Sequence, residues 1–220
     1  MHLSIILLLL VTTTWCTLKL EGCDGDDKYC VGMPRGCIHP KCFFAFSTKS
    51  NGTHVEIELF STRVRDYTYL AIAYSEDEIM DNDFVIYCLR DDRNATNVAG
   101  MAFNNHHNFM DRLYPVEELK EVDTFGFGLQ LHERSFEDGN MYCRMTHLVD
   151  PIIARWNTTK LDVLMAKGIW HRYYFEYHYW TRSAVGQVDL SGAKKPPVKK
   201  SASSAISSLI ISIVVFICYY

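Results

Sequence analysis

Met80 is the one soft donor in a loop of hard ones. The segment Glu76 to Asp83 carries five acids, Glu76, Asp77, Glu78, Asp81 and Asp83, and a single methionine. A thioether there has two uses. It folds back to fill the core, or it ligates a soft metal ion. The acids offer oxygen to calcium, but they lack the order and the glycine of an EF-hand loop, so a solvated loop accounts for them. His106 and His107 are adjacent. Consecutive side chains diverge on a strand, so a metal shared by this pair would need a loop. His132 and His147 fall in strand-like runs and read as ordinary sheet residues. No nucleophile elbow, phosphate-binding loop or HExxH is present. The acid count alone defines no paired-carboxylate site.

The elements that must position these residues read as strands. Val55, Ile57 and Leu59 alternate with Glu56 and Glu58, the mark of a half-buried strand. Tyr67 to Ser75 and Phe84 to Arg90 are apolar runs on either side of the Met80 loop. Further strands are predicted at Val98 to Asn104, Thr124 to Glu133, Met141 to Leu148, Leu161 to Ala166 and Arg172 to Tyr179. Turn signals such as Ser50-Asn51-Gly52 and Lys167-Gly168 separate them. Only Val116 to Val122 reads as helix, and briefly. Many short strands at this spacing predict an all-β chain, an antiparallel immunoglobulin-like β-sandwich. Gly126 and Gly128 alternate with bulky residues within Thr124 to Glu133. They mark a bend, or they leave room for a flat ligand.

The 220 residues suffice for one domain with processed ends, and a net charge of −4 implies no basic nucleic-acid face. Residues 1–16 read as a secretory signal peptide, with the apolar run LSIILLLLV and cleavage near Cys16. The folded domain is then 17–191, with a Cys-rich start. A polar spacer, 192–204, leads to an uncharged tail, 205–220. Ser191-Gly192-Ala193, spacer and tail follow the order of a glycosylphosphatidylinositol signal, with Ser191 as the attachment residue and Ser201 or Ser203 as alternatives. The competing reading is a membrane helix, which the sixteen tail residues make short and which lacks flanking cytoplasmic charge. Six cysteines remain in the domain: Cys23, Cys30, Cys37, Cys42, Cys88 and Cys143. In a secreted chain they predict three disulfides. Cys88 and Cys143 each belong to a core strand and are expected to pair, leaving the first four to staple an N-terminal knot. A zinc site on those four is the alternative, against which stand loose spacing and an oxidising compartment. Sequons at Asn51, Asn94 and Asn157 lie in predicted loops, where glycans are tolerated.

The order of features resembles a DOMON domain of the ferric-chelate-reductase-like kind. Cys42-Phe43-Phe44, Val55 to Leu59, Tyr69 to Ser75, Met80 to Asp83, Tyr87-Cys88, Phe103-Asn104, Tyr142-Cys143-Arg144 and His178 before Val188-Asp189-Leu190 carry the likeness. It covers roughly residues 23 to 191. The chain departs from the pattern at Asp81, where the family often has glycine. The resemblance implies a DOMON-type sandwich holding haem b through Met80 and His178 as axial ligands; Phe84, Phe103, Phe127, Tyr174 and Trp180 are expected as pocket walls only from their proximity to these motifs. It implies that Asp83 fixes the loop by accepting backbone hydrogen bonds. A thioether and an imidazole would fill both axial positions, which suits one-electron transfer rather than oxygen binding. The expected partners are a transmembrane cytochrome or reductase, or an extracellular acceptor. The chain is then an electron-transfer or binding domain rather than a complete enzyme. Alternation along Arg172 to Trp180 makes His171, on the opposite face from His178, a rival ligand. Some relatives of this kind bind no haem, which leaves an extracellular carbohydrate- or protein-binding module as the alternative function.

Overall fold

The computed structural model describes residues 18, 22–23, 28–37, 39–80, 82–91, 96–105, 109–110, 114–115, 126–171, 174–175 and 182–192. His106, His107, Asn94, Asp81, His178 and Trp180, the segment Val116 to Val122, the signal peptide 1–16 and residues 193–220 lie outside the described residues. The described chain is an antiparallel β-sandwich, as the strand spacing predicts. The strands are β1 (Tyr29–Met33), β2 (Phe44–Ser50), β3 (His54–Ser61), β4 (Thr68–Ser75), β5 (Asp83–Asp91), β6 (Thr96–Asn105), β7 (Phe109–Met110), β8 (Tyr114–Pro115), β9 (Gln130–Glu137), β10 (Asn140–Leu148), β11 (Lys160–His171), β12 (Tyr174–Phe175) and β13 (Arg182–Asp189). One short helix, α1 (Asp150–Trp156), joins β10 to β11. The smaller sheet has the order β1-β2-β3-β10-β9. The larger runs β12-β11-β4-β5-β6-β7, with β13 also on β11 and β8 also on β6.

The core lies between the sheets. Val55, Ile57 and Leu59 of β3 face Leu70, Ile72 and Tyr74 of β4 and Phe84, Ile86 and Cys88 of β5 in one cluster. The Cys88–Cys143 disulfide crosses it, tying β5 of one sheet to β10 of the other. Cys23–Cys30 and Cys37–Cys42 close the N-terminal knot, so these four cysteines are not zinc ligands. Three disulfides mark an oxidising, extracellular-type environment. Among the described residues no helix is long and apolar enough to cross a membrane.

Several local expectations are corrected. β9 begins at Gln130, not Thr124. Gly126 and Gly128 have φ of +64° and +54°, where a side chain is disfavoured, so they bend the chain into β9. A Cβ on Gly128 would also crowd Leu148 at 3.2 Å. The helix Asp150–Trp156 falls where none was expected. Pro151 in its first turn needs no amide partner, Asp150 favours the positive end, and Asn157 closes it in the left-handed region at φ 53°.

A buried polar pair sits in this frame. Between the sheets, His147 faces Tyr74. The Leu148 carbonyl can only accept, so His147 Nδ1 donates to it at 2.8 Å and Nε2 accepts from the Tyr74 hydroxyl at 3.1 Å. Burial holds the imidazole pKa down to about 4, helped by nearby His54 and opposed by the Leu148 hydrogen bond. The folded value thus lies below the unfolded 6.5. Stability from this group is complete above pH 6.5 and falls as pH drops towards 4, by about 3 kcal/mol in all. We therefore expect His147→Phe to lose the part of the acid sensitivity seen between pH 6.5 and 4.5 in urea midpoints. An unchanged pH slope would remove His147 from the account.

Candidate functional site

A sandwich sheet normally has one dry face and one wet face, giving alternation along its strands. β4 breaks that rule, because all eight residues of TYLAIAYS are buried. Its second apolar face is the outer face of the larger sheet. The register puts three rows of residues side by side across β11, β4, β5 and β6. The first is Leu164, Ala73, Val85 and Ala102; the second is Ala166, Ala71, Tyr87 and Gly100; the third is Gly168, Tyr69, Leu89 and Val98. Half of these twelve positions are Ala or Gly, so the middle of the face is a low floor, and it is covered, since Ala71, Ala73, Ala102 and Ala166 are all buried.

Large side chains rim this floor. Tyr69 stacks on Phe175 with ring centroids 4.2 Å apart and an interplanar angle of 15°. Phe175 meets Tyr87 edge-on at 5.1 Å. Trp170 is buried beside them and donates its indole N–H to the Arg90 carbonyl at 2.8 Å. Gly168 makes this arrangement possible, since a Cβ there would lie 2.8 Å from the Tyr69 ring. Met80 packs, half-buried, against the same apolar cluster. Its backbone carbonyl accepts from Asn104 Nδ2 at 3.1 Å, which ties the loop to β6. The loop is further fixed by Asp77, whose Oδ1 accepts from the Ile79 amide at 2.8 Å and from the Ser75 hydroxyl at 3.2 Å. Asp77 therefore performs a loop-holding role of the kind expected of Asp83.

Of the expected site residues, the structure brings Met80 to this face. His178 lies outside the described residues, three positions beyond Phe175. His171 is exposed, and alternation along β11 turns it away from the face that buries Trp170. The expected aromatic walls are partly corrected. Phe84 and Phe127 pack 4.2 Å apart inside the sandwich core, and Phe103 packs against that core. The rim is instead Tyr69, Tyr87, Trp170 and Phe175. Their periodicity was readable, but the sequence did not say that both faces of β4 are covered. Among the described residues no group of three or more His, Cys, Asp or Glu is placed to share a metal ion.

A concavity opens at the sandwich end. It is a polar cleft of about 520 Å³ between the Met80 loop and α1. Ser75, Asp77, Asn82 and Asp83 line one side, and Arg155 and Trp156 the other. The Arg155 guanidinium lies 4.2 Å from the Phe103 ring centroid and 5.2 Å from that of Phe84, a cation–π seat that fixes its direction.

No protein-family model matches the chain. It is 41% identical over 228 residues to the uncharacterized protein C44B7.5 of Caenorhabditis elegans, covering 98% of this chain and 96% of that one. The chain belongs to the family of that nematode protein. The match runs over nearly the full length of both chains rather than over one module of them.

Proposed function

We propose that the chain is a cell-surface domain that holds haem b on the outer face of the larger sheet and passes single electrons. One observation carries the reading: Met80 converges on an apolar, small-residue floor rimmed by Tyr69, Tyr87, Trp170 and Phe175. The residues present fit such a group. A planar macrocycle needs a flat apolar bed; Ala71, Ala73, Ala102 and Ala166 form one, buried here beneath the cover of this face, which haem would displace. Its iron needs a soft donor, and Met80, packed against the same apolar cluster, would supply it. The DOMON resemblance adds His178 as the second axial ligand, from the segment that follows Phe175. Bound haem would supply a one-electron ferric/ferrous couple. The chain's own residues would exclude water from it and hold the Met80 loop through Asp77 and Asn104. The role we propose is electron transfer, with a transmembrane cytochrome, a reductase or an extracellular acceptor as partner.

The test is an absorption spectrum of the secreted protein, oxidised and then reduced with dithionite, with haem supplied during expression. The parent shows a low-spin b-type spectrum. Met80→Ala and His178→Ala each lose it or turn it high-spin, whereas His171→Ala keeps it. A well-folded parent with no haem would overturn the reading.

Anchoring at the membrane is part of the same proposal. Ser191 is exposed just past β13, with its amide donating to Asp189 Oδ1 at 2.9 Å. A lipid attached there, or at Ser201 or Ser203 beyond it, would hold the domain on the extracellular face. Phosphatidylinositol-specific phospholipase then releases the protein from intact cells, and retention after treatment would point to a peptide anchor.

A further inference from the structure

The polar cleft at the sandwich end has no part in the haem reading. It shares the 76–82 loop with that site but opens elsewhere, beside the C-terminal end of α1. The next residue after its Trp156 wall is Asn157, the acceptor of the sequon Asn157-Thr158-Thr159. We propose that the glycan on Asn157 docks its first sugars into this cleft, so that the chain binds its own carbohydrate.

Three observations support the docking. Asn157 is exposed, and its backbone is pinned: the amide donates to the Ile153 carbonyl at 2.7 Å and φ is 53°. The glycan root therefore leaves from a fixed backbone position, one residue beyond the Trp156 wall of the cleft. Second, the volume of about 520 Å³ lies within the roughly 300–1,000 Å³ of small-molecule sites. Third, the lining has the right chemistry. Trp156 gives an apolar wall for the C–H face of a pyranose ring. Ser75, Asp77, Asn82 and Asp83 give acceptors and donors for hydroxyl and acetamido groups, and Arg155 is held ready to donate. With Glu76, three carboxylates face one guanidinium. That balance disfavours an acidic sugar and suits the neutral N-acetylglucosamine pair at the root of an N-glycan.

The tether sets the strength. A ligand joined to the adjacent residue has already lost its translational freedom, so contacts too weak to capture a free sugar suffice. The docked sugars would lock α1 and the Met80 loop together across the cleft, stiffening the loop that presents Met80.

The experiment uses the full chain made in secretory cells fed ¹³C-labelled N-acetylglucosamine. Mass spectrometry first reads occupancy at each sequon. The Asn157 core-sugar resonances in the folded protein are then compared with those of the same glycopeptide released by protease. We expect the folded-state signals upfield, from the Trp156 ring current, with Trp156→Ala abolishing the shift and Trp156→Phe keeping part of it. Signals from Asn51 serve as the undocked control. An unoccupied Asn157, or core-sugar signals that coincide in folded protein and glycopeptide, would overturn the proposal. Capture of free N-acetylglucosamine by Asn157→Gln at millimolar or tighter affinity would overturn it too, by making the cleft a site for outside ligands.

Discussion

Replacing Cys88 and Cys143 together by alanine lowers the unfolding free energy by about 4 kcal/mol. The two residues are 55 apart in sequence and join the central strands of opposite sheets. In the unfolded chain the bond closes a long loop and removes the corresponding freedom. Both partners are fully buried in the core cluster, so the double variant also loses packed sulfur. The other two disulfides set the comparison. Cys23–Cys30 and Cys37–Cys42 close loops of 7 and 5 residues, worth about 2 kcal/mol each on the same argument. Their loss frees the N-terminal knot while the sandwich stays closed. Guanidinium unfolding followed by core fluorescence separates the two cases. The double Cys88/Cys143 variant shifts the global midpoint, and the short-loop variants change mainly the exposure of the N-terminal segment. Equal global shifts in all three would show that the knot, not the cross-sheet bond, limits stability.

That cross-sheet bond was legible in the sequence for a physical reason. Val55 to Leu59 alternates cleanly, and Tyr87-Cys88 and Tyr142-Cys143 each stand in an apolar run, so both cysteines had to face a common core. The strand count was less legible. β2 mixes Phe44 and Phe46 with Ser47, Thr48 and Lys49, and β13 carries Arg182, Ser183 and Gln187, so neither shows a strong period. α1 is only seven residues long, too short for periodicity to declare, although Asp150-Pro151 was a readable start signal. The candidate site was legible at Met80 and opaque elsewhere. A continuous apolar run such as Tyr69 to Tyr74 says that a strand is buried, not that its outer face forms a floor. Which residues rim that floor depends on Gly168 admitting the Tyr69 ring and on β12 folding back on β11. Both are tertiary events with no local signature.

Glu58 is the clearest case of a residue whose pattern misleads, and its partner gives the second large effect. Alternation with Ile57 and Leu59 assigns Glu58 to a solvent face, and it is on the outer face of the smaller sheet. Yet its side chain is fully buried, because the N-terminal segment, with Leu18, Cys37 and Cys42, closes over that face. The carboxylate receives the Lys28 ammonium, the Ser47 hydroxyl at 2.5 Å and the Tyr142 hydroxyl at 2.7 Å. Burial alone would raise its pKa; the hydrogen bonds from Lys28, Ser47 and Tyr142 outweigh burial and hold it below the usual carboxylate value. A buried charge that loses one ionic partner typically costs about 3–5 kcal/mol. Lys28→Met should therefore destabilise the domain by that order, and Glu58→Gln by less, since its carbonyl oxygen still accepts from Lys28 and Ser47, its NH2 can donate to the Tyr142 hydroxyl, and no carboxylate is stranded. The double variant Lys28→Met/Glu58→Gln should recover part of the loss, because removing both charges removes the uncompensated one. The pH dependence has a definite sign. A depressed carboxylate pKa adds stability above its unfolded value of 4.5, and that stability is lost as pH falls through the lower folded value. Glu58→Gln should flatten the stability curve below about pH 4.5, a window beneath most of the His147 effect. Urea midpoints of the parent, both single variants and the double across pH 3 to 7 would separate the two groups. If Lys28→Met proved no worse than Glu58→Gln, the ion pair would not be what fastens the N-terminal knot to the sheet, and the apolar contacts of Phe60 and Tyr142 would have to carry that load.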